Sequence, residues 1–469
     1  MKIKIQVVIE HEDETLETIE EEISCLQRGS PSLETLGLTL AESKEILANL
    51  QEQIVKQQVA EHVQQFQVCE HCRQQRRRND RQTITYRTLF GNLRLSGQRF
   101  YHCPCRPQTT RSFSPIAGLL PERTAPEFRY LQAKWASLKS YGLTVKLLEE
   151  VLPLSANVAT TMRTTHAVAE KLESELGEEQ YMYIEGAARE WAKLPHPKER
   201  LFVGIDGGFI RGREPDKRKA RWFEVIVGKS LLKGKPSKRF AFVQTYDEKP
   251  KRRLFETLRS HGMQMNQDIT FLSDGGDDVR ELQYYLNPQA EHILDWFHVT
   301  MKITAMCQIA KGIEDTTFME KMLASLERVK WRLWHGHVVN ALMTLDWMSD
   351  DCYSEEKSDA RREQLYQALL ECHTYVRNSR EFIPNYAERY RYDEIISTAF
   401  AESAINEVVS KRMAKKQQMR WTKRGAHLLL QVRTKTLNDE LRSKFETWYP
   451  GMASGNDVGT KPKEGALLC

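Results

Sequence analysis

LFVGIDGG at residues 201–208 and ITFLSDGG at residues 269–276 are two short apolar runs that each end in Asp-Gly-Gly. A short apolar run bounded by glycine reads as a buried strand, and an acid just past its end sits at the rim of a sheet, where α/β folds put their chemistry. Asp206 and Asp274 are therefore expected as two strand-end carboxylates. Hard oxygen donors brought together there suit Mg²⁺ or Mn²⁺, ions that serve phosphoryl transfer.

The elements around these runs decide how the two acids meet. A strand to Asp206 is followed by WFEVIVG (222–228), RFAFVQTY (239–246) and a helix, KPKRRLFETLRSHG (249–262). Next come the strand ITFLS, a helix DDVRELQYYL (277–286), the strand EHILDW (291–296) and a helix from His298 to about Ile313. Three successive strands predict an antiparallel meander, and strands alternating with helices predict parallel additions. That order, β-β-β-α-β-α-β-α over residues 201–313, is a ribonuclease-H-like layout. In it the first and fourth strands are neighbours, so Asp206 and Asp274 are expected to share a metal. Asp277 and Asp278 crowd the second acid.

Residues 314–392 read as a helical insertion, with Trp331, Trp334 and Trp347 expected in its core. Within 393–448, TAFAESAINEVVSKRM (398–413) is a helix whose buried stripe is Ile405, Val408 and Val409. Glu402 lies in its first turn on a different face and is expected to point at the sheet rim; Glu407 is the rival acid. A basic segment follows: Lys411, Arg412, Lys415, Lys416, Arg420, Lys423 and Arg424, with Trp421 inside it. Residues 449–469 read as a flexible tail.

Upstream, residues 1–66 open with alternating Ile3, Ile5, Val7 and Ile9, a strand, and continue from Thr39 as an amphipathic helix with a Thr39/Glu42 capping box. Residues 67–115 change character. Cys69-x-x-Cys72 has knuckle spacing, and Cys103-x-Cys105 follows an alternating strand, as in a zinc ribbon; the other reading is a set of buried free cysteines. Tetrahedral thiolate ligation of Zn²⁺ would hold a module too small for a core. Arg73, Arg76, Arg77, Arg78 and Arg81 sit between the pairs, where a finger-like loop would present them to a phosphate backbone. Residues 116–180 are helical, and two helices joined at Pro153-Leu154-Ser155, the second with a serine cap, resemble a helix-turn-helix. Its Asn157, Thr160, Thr161, Arg163 and Thr164 are expected to be exposed for DNA. Residues 181–200 read as a linker.

Composition sets the limits. The 469 residues are 40% apolar, enough for well-buried cores, and the formal charge of +5 is too small to name a partner by itself. Nothing approaches about 18 consecutive apolar residues and no signal peptide is read, which predicts a cytoplasmic protein with no membrane partner, nucleoid-associated when bound to DNA. Four of the nine cysteines fall in two close pairs, which in a reduced compartment favours metal over disulfides.

Taken together, KIKIQVVIEHE, LETLGLTLAESKEIL, the two cysteine pairs, TLFGNLRL, GIDGG, LSDGGDD, DWFHV (295–299) and ESAIN resemble a DDE transposase of a bacterial insertion sequence, of the ISKra-type family. The resemblance covers nearly the whole chain, though the Cys103-x-Cys105 pair is one residue tighter than usual. It implies a ribonuclease-H-like core with a helical insertion, preceded by helical, zinc-ribbon and helix-turn-helix DNA-binding modules. The implied triad is Asp206, Asp274 and Glu402, and Asp295 and His298 match a D-x-x-H pattern that orders the site or steadies the scissile phosphate. The implied cofactors are two Mg²⁺ (or Mn²⁺) ions about 3.5 to 4 Å apart. The implied partners are double-stranded DNA, as element ends and target, and further copies of the chain in a dimer or higher oligomer. Two alternatives share some of these features. One is a transposase-derived DNA-binding protein that has lost activity, against which stand all three acids. The other is a sugar-kinase-like ATP enzyme, against which stand the cysteine spacing and the arginine cluster.

Overall fold

The computed structural model describes residues 1–10, 18–30, 32–105, 108, 110–184, 186–213, 222–276, 282, 286–287, 290–353, 360–413 and 420–452. The chain divides into two units, Met1–Val168 with Glu440–Cys469, and Ala169–Asp439.

In the first unit β1 (Lys2–Ile9) and β2 (Ile19–Gln27) pair antiparallel. Helix α1 (Leu40–Gln65) starts at the expected capping box: the Thr39 hydroxyl accepts from the Glu42 N–H at 3.2 Å, and the Thr39 N–H donates to the Glu42 carboxylate at 2.9 Å. Strands β3 (Arg78–Thr88), β4 (Gly91–Tyr101) and β5 (Ser112–Phe113) form an antiparallel sheet. Val55 and Val59 of α1 pack on its Ile84, Leu93 and Leu95, together with Ile116 of α2 (Pro115–Leu119). Helices α3 (Pro126–Leu138), α4 (Tyr141–Val151) and α5 (Val158–Glu175) follow, and α5 runs on past Val168 into the second unit. The expected serine cap of α5 is instead Asn157, whose Oδ1 accepts from the N–H groups of Ala159 (2.9 Å) and Thr160 (3.3 Å). Thr161, expected to be exposed, is instead buried, where its hydroxyl accepts from the Gln132 amide at 3.4 Å.

The second unit is a mixed α/β assembly. After a short turn of helix, α6 (Ala188–Trp191), come the meander strands β6 (Leu201–Arg211), β7 (Trp222–Leu232) and β8 (Lys238–Val243). Helix α7 (Pro250–His261) leads to β9 (Ile269–Ser273), and β10 (Glu291–Leu294) follows. The sheet order is β10-β9-β6-β7-β8, with β7 antiparallel to β6 and β8, and β9 and β10 parallel to β6. Side chains alternate across the strands. Leu201, Val203, Ile205 and Phe271 face one core with Leu254 and Leu258 of α7. Phe202, Leu272 and Ile293 face the other, with α8 (Trp296–Ala310), α9 (Thr316–Trp334), α10 (Val338–Cys352) and α11 (Ala360–Asn378). Helices α12 (Tyr386–Arg391), α13 (Ala399–Ile405) and α14 (Lys423–Leu437) complete this unit, and α15 (Leu441–Trp448) belongs to the first.

Two expectations fail here. Trp331 and Trp347 are 50% and 60% exposed, because the core stripes of α9 and α10 are filled by Leu326, Val329, Leu333, Leu345 and Met348. Asp206 is not past the end of its strand: β7 pairs with β6 through Arg211, so Asp206 sits mid-strand opposite Val227. Among the described residues no helix is long and apolar enough to cross a membrane.

Candidate active site and cysteine centre

The register of the parallel strands lines up three aspartates. β6 pairs with β9 up to Gly204↔Leu272, and β9 with β10 up to Ser273↔Leu294. Continuing these registers, by two residues and by one, sets Asp206, Asp274 and Asp295 in one row across three neighbouring strands. The Asp295 N–H donates to the Ser273 carbonyl at 2.9 Å, which carries the ladder to its end. Beyond Asp274 the chain turns away through Gly275, at φ +87°, where a Cβ would meet Leu294 at 2.8 Å.

The three acids differ in what holds them. Asp206 is half-buried; burial raises its pKa, the Gly207 N–H and His298 oppose that rise, and the Asp274 and Asp295 charges add to it. Asp274 is exposed, with Oδ1 accepting from the Gly276 N–H at 3.1 Å. Asp295 is fully buried and saturated. Its Oδ1 accepts from the N–H groups of Phe297 (2.9 Å) and Thr398 (3.0 Å), and its Oδ2 from His298 Nδ1 (2.8 Å) and the Thr398 hydroxyl. Burial works against the Asp295 charge, but these donors bring its pKa below the ordinary value. An acid so occupied positions other groups and has no lone pair left for an ion. The pKa of His298 is raised, first by its hydrogen bond to Asp295 against the effect of burial, then by the charges of Asp295, Asp206 and Asp274.

Helix α13 lies across the Asp206 face. By the two-residue period Gly204, Asp206 and Gly208 share that face. A Cβ on Gly204 would stand 2.7 Å from Phe400 and 2.8 Å from Ala401, and one on Gly208 would stand 3.3 Å from Ile405. The turn of α13 that crosses Asp206 is thus the one carrying exposed Glu402. The rival acid is engaged elsewhere: Glu407 lies in a π-helical turn (Asn406–Ser410) and takes the Arg239 guanidinium at 2.6 Å. Asp277 and Asp278 lie outside the described residues.

The ligand atoms of Asp206, Asp274 and Glu402 do not all close to within 4.8 Å, as those of a single compact site would. All three are nonetheless hard carboxylates with lone pairs to spare, the donor chemistry that Mg²⁺ or Mn²⁺ takes. Sequence reading missed Thr398, and also Tyr375, whose hydroxyl donates to the Asp274 carbonyl at 3.0 Å with Lys302 Nζ 4.5 Å from its ring centroid. Lys302 alone left a signal, one helical turn after His298.

The cysteine quartet closes tightly. Cys69, Cys72, Cys103 and Cys105 bring their sulfurs within 4.8 Å of one another, at 3.6 Å for Cys69 to Cys105 and 3.4 Å for Cys72 to Cys103. Sulfurs at about 2.3 Å from a tetrahedral Zn²⁺ lie roughly 3.8 Å apart, so the set fits zinc, including the tight Cys103-x-Cys105 pair. The backbone N–H groups of Cys72 and His71 hold the Cys69 thiol down to about 6, while hydrogen bonding to Cys103 and burial push Cys105 up to about 12. Sulfurs this close share negative charge poorly unless a cation joins them. Glu173, Asp247 and His427 also cluster, but the Arg253 guanidinium already lies at their centre, 2.9 Å from Glu173 and 2.8 Å from Asp247.

The basic residues separate into exposed and structural. Arg73, Arg77, Arg78, Arg81, Arg163, Lys411, Arg420, Lys423 and Arg424 are exposed, the last paired with Glu170. Arg76 donates to the Phe66 (2.9 Å) and Val68 (3.1 Å) carbonyls and lies over Phe113, fastening the cysteine module. Arg412 was expected on a DNA-facing surface and instead is fully buried over Trp421, itself buried, 5.3 Å from its ring centroid. Lys415 and Lys416 lie outside the described residues.

No protein-family model matches the chain, and no curated protein matches it. Among solved structures, one titled "Crystal structure of NurA" aligns at 13% identity over 54% of this chain and 74% of that one, with a TM-score of 0.10. A superposition that poor supports neither a fold nor an activity.

Proposed function

We propose that the chain is a DDE transposase of the insertion-sequence kind, cutting and joining DNA by metal-dependent phosphoryl transfer. The observation that carries this reading is the row of Asp206 and Asp274 on adjacent strands with the Glu402 turn of α13 laid over Asp206. The order of the sheet, an antiparallel meander with two parallel strands added beside its first, supports a ribonuclease-H-like core. The cysteine quartet and the three-stranded sheet beside it support a zinc-ribbon-like module.

Asp206, Asp274 and Glu402 would hold divalent ions, which supply Lewis-acid charge and lower the pKa of bound water. The chain's own residues do the rest. Asp295 locks His298 at the start of α8 and Thr398 at the start of α13, which fixes Glu402 over the strand that bears Asp206. Asp295 raises the pKa of His298 and so favours its charged form beside the carboxylates, where a phosphodiester oxygen gains negative charge in an in-line displacement. Water attacks phosphorus as the P–O3′ bond breaks, leaving a 5′-phosphate and a 3′-oxygen that takes up a proton; that 3′-hydroxyl then attacks a target phosphorus as the target's own P–O3′ bond breaks, and the released target 3′-oxygen takes up the proton.

The test is Mg²⁺-dependent cleavage by the purified chain of DNA carrying the inverted repeats that flank its gene. Asp206→Ala, Asp274→Ala and Glu402→Gln should each abolish cleavage and spare binding. Full strand transfer by the Asp274→Ala variant would overturn the assignment.

A further inference from the structure

The β3–β4 hairpin has two unlike faces. Inward, Ile84, Leu93 and Leu95 pack on α1, and a Cβ on Gly97 would stand 2.0 Å from Ile116. Outward, the same alternation brings up Arg81, Thr83 and Thr85 of β3 beside Gln98, Ser96 and Arg94 of β4, paired in that order across the ribbon. Arg81, Thr83, Thr85, Arg94 and Ser96 are all exposed, and Arg87 continues the row. Gln98 is spent on the Asp80 and Arg99 carbonyls. The face carries no acid, no aromatic and no aliphatic side chain; Asp80, at the bulge, pairs with Arg99 at 3.2 Å.

Its chemistry narrows the occupant. An ordinary solvated face mixes both signs of charge, whereas this one is cationic and otherwise made of small hydrogen-bonding side chains. A protein partner would need an apolar or aromatic anchor, and a single nucleic-acid strand would need rings to stack on. A-form duplex RNA hides its major groove in a slot too deep and narrow to enter. The major groove of B-form DNA is about 12 Å wide and admits a two-stranded ribbon. Each strand is 11 residues long. The cationic face runs from Arg81 to Arg87, roughly 20 Å at about 3.4 Å per residue, which is within the length of one turn of the double helix.

We propose that this outward face of the β3–β4 ribbon enters the major groove of double-stranded DNA, with Arg81 and Arg94 on guanine edges or flanking phosphates and Thr83, Thr85 and Ser96 against base edges. The face shares no residue with the carboxylate set and goes beyond the strand-cutting reading.

The experiment uses the full-length, zinc-loaded chain without added Mg²⁺. Binding to a fluorescent DNA duplex of about three helical turns is followed by anisotropy across a salt series, with dimethyl sulfate footprinting. The Arg81→Gln/Arg94→Gln double variant should bind about tenfold more weakly, lower the salt slope by roughly two and lose protection of guanine N7 in the major groove. Arg81→Lys/Arg94→Lys keeps the charge and the fold; it should retain the slope and lose the N7 protection. Unchanged affinity, slope and footprint in variants with wild-type zinc content and circular dichroism would overturn the proposal. So would protection confined to adenine N3 in the minor groove, or duplex RNA competing as well as duplex DNA. Because Asp206, Asp274 and Glu402 stay intact and no Mg²⁺ is added, neither result bears on cleavage.

Discussion

The Thr398 N–H donates to Oδ1 of Asp295 across 3.0 Å, joining the start of the helix that bears Glu402 to the end of a sheet strand. The Thr398 hydroxyl binds the other oxygen of the same carboxylate. Thr398→Val keeps the shape and removes the hydroxyl bond. It should cost about 1 kcal/mol of stability and cut cleavage more than that stability loss explains, because Glu402 loses its anchor. Urea unfolding and cleavage rates of the same preparations check this.

His298 makes stability depend on pH. Its folded pKa is raised, so its contribution is fully present below the unfolded value of about 6.5 and is lost as pH rises through the folded value. The stability gap between wild type and His298→Ala should therefore be widest in acid and narrow above neutrality. In an Asp295→Asn background that pH dependence should largely vanish, as thermal melts from pH 5 to 9 would register.

Glu402 and Glu407 should separate cleanly. Glu402→Gln leaves an exposed side chain of the same size, so cleavage should be lost with the melting temperature unchanged. Glu407→Gln removes the partner of Arg239 and should lower stability while leaving most of the cleavage. Inactivity of the second variant with activity of the first would reassign the third acid.

The two glycines of β6 that face α13, Gly204 and Gly208, should rank by clearance. Gly204→Ala puts a methyl 2.7 Å from Phe400 and must displace α13, at roughly 1–3 kcal/mol and with loss of cleavage. Gly208→Ala meets Ile405 at 3.3 Å, a contact that a small shift relieves, and should be much milder. Denaturant midpoints with parallel activity assays test the order.

Zinc should be bound at one ion per chain through the cysteine quartet. Cys72→Ala or a strong chelator should release it and loosen the β3–β4 sheet, since sulfur contacts close the module where its apolar core ends. Elemental analysis and thiol reactivity report both events.

Much of this was visible in the chain itself. The alternation and order of strands from Leu201 to Leu294 foretold the meander and its parallel additions, because buried strands carry unmistakable apolar runs. Spacing brought the four cysteines together. What stayed hidden depends on partners far along the chain. Nothing near Arg412 announces that it is buried over Trp421, and nothing near Thr398 names Asp295 as its acceptor. Asp206 looked like a strand end because Gly207 and Gly208 follow it, yet β6 runs on through them, paired with β7 as far as Arg211. Trp331 and Trp347 looked like core because bulk was taken for burial, while aliphatic residues had already filled the stripe.

The helices between the strands and α13 are fastened at both ends of the site, Tyr375 to Asp274 across 101 residues of chain and Thr398 to Asp295 across 103. Contacts of such span form late, after the entropy of closing the intervening loop has been overcome. On the proposed chemistry, a nascent chain that has already released both Asp-Gly-Gly strands from the ribosome still lacks a working carboxylate set. Competence arrives only with the last part of the polypeptide. On the same proposals, a chain broken off among α9 to α12 would keep the cysteine module and the hairpin proposed to enter DNA, yet would lack Glu402 and be unable to cut.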